Sequence, residues 1–242
     1  MQYLLRRKII IVLLFIAPVL AKAQLRDDYN QTDYDDKPLH FGINVGYNQS
    51  HFRFTFNNYF LQQDSVMWVE SLNNAGINLA WLVNYQLSDH FSLRAFPLDL
   101  TFAQRVFEYS LKYPNYAAGE TPITSKQVQS ITLSLPLTVK FTSDRIDNMK
   151  VYTIAGANFA YDLAASSSGD VNADAMIKLK KFNYGLEGGL GFHIYFPYFV
   201  LSPELKVDWG IANLHNAVNN NKFSNAVDKI YSRMVSFSLT IE

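Results

Sequence analysis

The chain has 242 residues, no cysteine, and 21 basic against 21 acidic residues. The missing cysteines exclude a disulfide framework and a lipid anchor through a Cys. Four of the basic residues and none of the acidic ones lie in the first 23 positions. The remainder therefore carries 17 basic against 21 acidic residues, about −4, which argues against nucleic acid as a partner, since that would want a basic surface.

Residues 1–23 read as a cleaved secretory signal. Arg6, Arg7 and Lys8 form a positive n-region, Ile9 to Leu20 an apolar core of twelve residues, and Ala21-Lys22-Ala23 a small-residue cleavage site. Twelve apolar residues fall short of the ~20 that a helical anchor needs. Residues 24–38 are polar and acidic, with Asp27, Asp28, Asp33, Asp35 and Asp36. A solvated tail is expected here; the functional alternative is a periplasmic contact segment or a weak cation site.

Residues 39–242 alternate apolar and polar in about eight runs. In the first, Phe41, Ile43, Val45 and Tyr47 oppose Gly42, Asn44, Gly46 and Asn48. The apolar side then moves to Phe52, Phe54 and Phe56, which predicts a bulge or bend near Gln49–His51. In the second, Ile77, Leu79, Trp81, Val83, Tyr85 and Leu87 share a face. The third places Phe91 and Leu93 outward and Ser92 and Arg94 inward. Its parity flips after Pro97, which removes a ladder donor and is best placed at a bulge. Ile131 to Phe141 alternates sharply with Thr132, Ser134, Thr138 and Lys140, while 150–163 is ambiguous in phase. The sixth run opposes Phe182, Tyr184, Leu186, Leu190, Phe192 and Ile194 to Asn183, Gly185, Glu187, Gly189, Gly191 and His193. The seventh opposes Leu201, Leu205, Val207, Trp209 and Ile211 to Ser202, Glu204, Lys206, Asp208 and Gly210. The eighth is Val235, Phe237, Leu239 and Ile241 against Ser236, Ser238 and Thr240.

The gaps are short near 87–90, 142–148 and 196–198, and long near 57–73, 112–124, 164–176 and 212–228. Short turns at one end and long loops at the other mark an antiparallel transmembrane barrel. Nearly half the residues, 49%, are hydrophobic, yet no stretch after the signal reaches the length of a membrane helix. The predicted fold is all-β: an eight-stranded antiparallel outer-membrane β-barrel, long loops outside, termini in the periplasm. Aromatic girdles are expected at both interfaces, Tyr85, Phe91, Phe141, Tyr152, Tyr195 and Tyr198 by the short turns, and Tyr109, Tyr161, Phe182, Tyr184, Trp209 and Tyr231 by the long loops. The inward Gly185, Gly189 and Gly191 leave room for larger groups opposite.

The inward charges Arg94, Lys140, Glu187, Glu204, Lys206 and Asp208 are expected to form a lumenal network, either a structural plug or a polar gate, because buried charges need partners. Eight strands leave a lumen filled by side chains. No catalytic set is predicted. Ser88-Asp89-His90 has triad residue types but sits in one tight turn, and His193 lies about 20 Å along its strand from Glu187. His40, His51 and His215 have no motif around them, and no Cys/His spacing suggests zinc.

Three segments carry a family likeness. DHFSLRAFPLDLTF (89–102), SITLSLPLTVKFTSDRIDNMKVYTIAGANFAYDL (130–163) and YGLEGGLGFHIYFPYFVLSPELKVDWGI (184–211) resemble the PorT/SprT family of outer-membrane barrels. The resemblance implies a non-enzymatic accessory component of type IX protein secretion, and of gliding motility where that machinery drives it. Implied partners are outer-membrane lipid and the secretion translocon or its assembly proteins, with no cofactor, metal or nucleic acid. A small porin or adhesin, or an enzyme acting on lipid or peptide at the outer surface, remains the alternative. The chain ends on Ile241-Glu242, where such barrels commonly carry a terminal aromatic.

Overall fold

Each strand of this protein bonds to its neighbours through the backbone while its side chains alternate between two environments. The computed structural model describes residues 29–56, 60, 66–114, 121–163, 178–216 and 227–242. The predicted signal, Asp27 and Asp28, and the greater part of the long loops lie outside them.

The described residues form eleven strands: β1 (Leu39–Phe56), β2 (Val66–Leu72), β3 (Asn74–Gln86), β4 (Phe91–Leu111), β5 (Ile123–Thr142), β6 (Met149–Asp162), β7 (Lys178–Leu179), β8 (Phe182–Tyr195), β9 (Val200–Gly210), β10 (His215–Asn216) and β11 (Val227–Ile241). Eight of them close a barrel in the order β1-β3-β4-β5-β6-β8-β9-β11, with β11 antiparallel to β1. Closure leaves no sheet edge within the wall, the condition for crossing hydrocarbon. The outward face is apolar: Ile43, Leu79, Leu135, Leu190 and Phe237 each show roughly half of their surface.

Several strands outrun the membrane. β4 has 21 residues, about twice the nine to eleven that cross a bilayer. Its far end, Val106–Leu111, pairs with β2. This strand lies inside what the sequence reads as the first long loop. It was hidden because a register shift at Met67 breaks its alternation. Here the inward side chains are apolar. Phe52, Val66, Val69, Phe107, Tyr109, Leu111, Leu214, Val227 and Ile230 make a buried core at the long-loop end, and Phe52 stacks on Phe107 with ring centroids 5.4 Å apart.

The bulge expected near Gln49–His51 is absent. The β1–β11 register runs without a break from Ile43 to Thr55, and even positions stay inward from His40 to Phe54. What changes is the chemistry of the two faces, because the surroundings of the wall change. The bulge at Pro97 is present: Leu82 stands opposite both Phe96 and Pro97, between the pairs Trp81↔Leu98 and Val83↔Ala95. Ser92, Arg94 and Phe96 point inward before it, and Asp99, Thr101 and Ala103 after it. The phase of β6 also resolves, with Tyr152, Ile154 and Ala160 buried.

The girdles need correction. Tyr85, Phe91, Phe141, Phe182, Tyr184 and Trp209 are exposed on the wall. Tyr152, Tyr195 and Tyr109 are buried inside, because each falls on the inward phase of its strand. Gly191 explains the first of these: Tyr152 is its direct cross-strand partner, and a Cβ on Gly191 would meet the Tyr152 ring at 2.5 Å.

Candidate functional site: the lumenal charges and the short-turn mouth

All six predicted lumenal charges are buried, and they fall into two groups. The bulge in β4 lies between the groups, with Arg94 aimed inward on one side of it and Asp99 on the other.

The group nearer the short turns is built on Arg94 and Glu204, whose side chains are wholly buried. The Arg94 guanidinium donates to Glu204 Oε2, and the Tyr152 hydroxyl donates to the same oxygen at 2.7 Å. Arg94 also lies 5.0 Å from the centroid of the Tyr152 ring, so one aromatic side chain packs against the cation and bonds its partner. Lys140 Nζ sits 3.1 Å from His193 Nε2, and His193 Nδ1 sits 2.7 Å from Ser202 Oγ. Both His193 ring nitrogens are thereby engaged inside the lumen, one by Lys140 and one by Ser202.

The second group lies toward the long loops. Lys206 Nζ is 3.9 Å from Glu187 Oε1 and 4.8 Å from the centroid of the Phe96 ring. Asp208 faces Glu187 directly across the β8–β9 ladder and accepts from Asn158 Nδ2 at 2.9 Å. Sequence reasoning missed Asp99, which is buried and within electrostatic reach of Lys206 and Asp208. Its inward aim follows from the Pro97 flip. Between the closed ends the lumen holds a cavity of about 50 Å³, lined in part by Thr101, Asn158, Asn183 and Asp208. That is room for a few waters.

The short-turn mouth holds the larger surprise. Glu242, the charged residue expected to sit at the strand end, turns inward, 4.0 Å from the Arg94 guanidinium. The Tyr34 hydroxyl donates to its Oε2 at 2.6 Å. The acidic segment expected to be a solvated tail therefore docks on the barrel. A 3-10 turn, Thr32–Tyr34, aims Tyr34 into the mouth, where its ring stacks on His40 at 4.1 Å and meets Tyr195 edge-on at 5.7 Å. Burial, then the neighbouring Glu242 carboxylate, pushes the Tyr34 phenol far above its ordinary range, so it remains a neutral donor. Asp35 pairs with Lys150 at 2.8 Å and Arg145 at 3.7 Å. The signal for this cap was weak: one aromatic between aspartates, opposite a terminal charge.

Ser88-Asp89-His90 forms no triad. Ser88 Oγ accepts from the Phe91 amide, while His90 Nδ1 contacts the Thr142 carbonyl at 3.2 Å. His51 is exposed on β1, and His215 Nδ1 contacts the Asp228 carbonyl. Among the described residues no group of three His, Asp or Glu side chains is placed to hold a metal ion.

Compared with known proteins, the chain matches the family model for the outer membrane protein beta-barrel domain over residues 22–216. No curated protein matches it. Similar solved structures include OprG of Pseudomonas aeruginosa, with 14% identity over 83% of this chain and 93% of that one and a TM-score of 0.43. Ail of Yersinia pestis, crystallised with the heparin analogue sucrose octasulfate, shares 14% identity over 83% and 96%, with a TM-score of 0.39. AlkL in lipid bilayers shares 12% over 90% and 93%, with a TM-score of 0.41.

Proposed function

The chain belongs to the outer membrane protein beta-barrel domain family, and from that premise we propose that it is a non-enzymatic accessory component of type IX protein secretion, acting on partners rather than conducting cargo. The observation that carries the partner-dependent role is the lumen, closed by an apolar core at the long-loop end, by ion pairs in the middle and by Tyr34 at the short-turn mouth. A folded protein has no route through it. The secretion pathway itself rests on the PorT/SprT-like segments 89–102, 130–163 and 184–211. In this proposal residues 1–23 are removed on export, both termini lie in the periplasm, and the long loops face outward. The barrel then meets the translocon or its assembly factors through its wall, its outer loops or its periplasmic mouth, with outer-membrane lipid around it.

Deletion of the gene in its host tests this. Proteins with the C-terminal sorting domain should fail to reach the medium, and return when the gene is restored. Normal secretion by the deletion strain overturns the pathway. Liposome swelling addresses the porin alternative: a sealed lumen predicts sugar entry no faster than in protein-free vesicles.

A further inference from the structure

The contacts of residues 30–35 with the barrel have the form of a receptor holding a peptide. Tyr34 fills a slot between His40 and Tyr195 and delivers its hydroxyl to Glu242. Asp35 is caught by Lys150 and Arg145 and accepts from the Tyr195 hydroxyl at 3.1 Å. The Arg145 guanidinium lies 3.9 Å from the centroid of the Tyr195 ring, which holds it in place, and also bonds the Asn30 carbonyl. The Asn30 amide donates to Asn148 Oδ1 at 2.8 Å, and its side chain to the Tyr195 carbonyl at 3.0 Å. Backbone groups fix the path of the segment, a slot takes an aromatic ring, and paired cations take a carboxylate, which is how a short peptide motif is recognised. Around these anchors Thr32, Asp33, Asp36 and Lys37 are exposed, so a few side chains hold the segment.

We propose that the short-turn mouth is a receptor site for an aromatic–acidic peptide motif of a partner protein, and that the chain's own Tyr34-Asp35 occupies this site in cis and masks it. Charge complementarity sets the class of partner. With Asp35 gone, Arg145 and Lys150 have no carboxylate within ion-pair distance among the described residues, and Lys140 lines the same cavity. An acidic peptide restores that balance and a basic one does not. The site depends on the mouth alone, so it stands or falls apart from the secretion pathway.

The test uses the mature protein in detergent and a fluorescent peptide of residues 29–38. A Tyr34→Ala/Asp35→Ala chain should bind this peptide at least tenfold more tightly than the wild type does. Adding Lys150→Glu should abolish that gain, and a peptide carrying the same two alanines should not bind. Equal binding by the opened and wild-type chains, or equal binding of a scrambled peptide, overturns the proposal. If the double variant does not fold, a spin label on Thr32→Cys in the otherwise native, cysteine-free chain gives a second reading. Titrating the peptide should mobilise the label as the cis segment is displaced, and a label unmoved at saturation overturns the proposal equally.

Discussion

The two halves of β1 share one backbone register and carry opposite chemistry. From Phe41 to Tyr47 the outward side chains are apolar, and Asn44 and Asn48 point inward. From His51 to Thr55 the outward side chains are His51, Arg53 and Thr55, and Phe52 and Phe54 point inward. Lipid around the wall drives apolar groups out; water around it drives them in. The barrel is thus an inverted protein across the membrane and an ordinary one beyond it, with the change near Gln49–His51. β11 behaves alike, with Ile230 pointing into the apolar core and Ser238 buried in the polar lumen, and β4 makes the same exchange from Arg94 to Phe107 with its parity changed at the Pro97 bulge.

The largest effect should come from breaking the polar half. Glu204→Ala removes the partner of a buried Arg94 and should cost about 3–5 kcal/mol. Lys229→Ala, on the exposed outer surface, should stay within about 0.5 kcal/mol. Urea melts in detergent compare them, and equal midpoints would remove the network's structural role. In the apolar half, Phe107→Ala should cost about 3 kcal/mol, confined to the extension. Protease cutting of the long-loop end should rise while the heat-resistant migration of the barrel on gels persists; loss of both would mean the halves are one unit.

Gly191→Ala sharpens the boundary within the polar half. The new methyl pushes Tyr152 off Glu204, at a cost of about 1–3 kcal/mol, and Gly191→Ala with Tyr152→Phe should show coupling in a double-mutant cycle. The smallest effect is a pH dependence at the long-loop end. Burial holds the His215 imidazole below its ordinary value, with Lys180 acting in the same direction and Asp228 opposing. The neutral form is therefore favoured by folding. Its contribution is complete above the unfolded value of about 6.5 and is lost as pH falls below it. Amide exchange in the β7–β10 ladder should speed up on acidification, and His215→Gln should flatten that response.

The barrel and its charges were legible because alternation survives in eight strands and because Pro97 announces its own bulge. The inversion of β1 was not. A change of solvent and a change of register leave the same trace in a hydrophobic pattern, and only strand pairing separates them. Phase decided the misplaced aromatics: Tyr152 and Tyr195 have the composition of a girdle and the parity of the lumen. The Tyr34 cap rests on contacts up to 208 positions apart in sequence, with no periodicity to betray them.

A spin-label scan along β1 reads the inversion at fixed register residue by residue, since the chain has no cysteine of its own. Labels at Ile43, Val45 and Tyr47 should meet oxygen dissolved in lipid, labels at His51 and Arg53 an aqueous nickel complex, and labels at Asn44, Asn48 and Phe52 neither. Burial at positions 51 and 53 with exposure at 52 and 54 would mean that the strand slips by one residue and that no inversion exists.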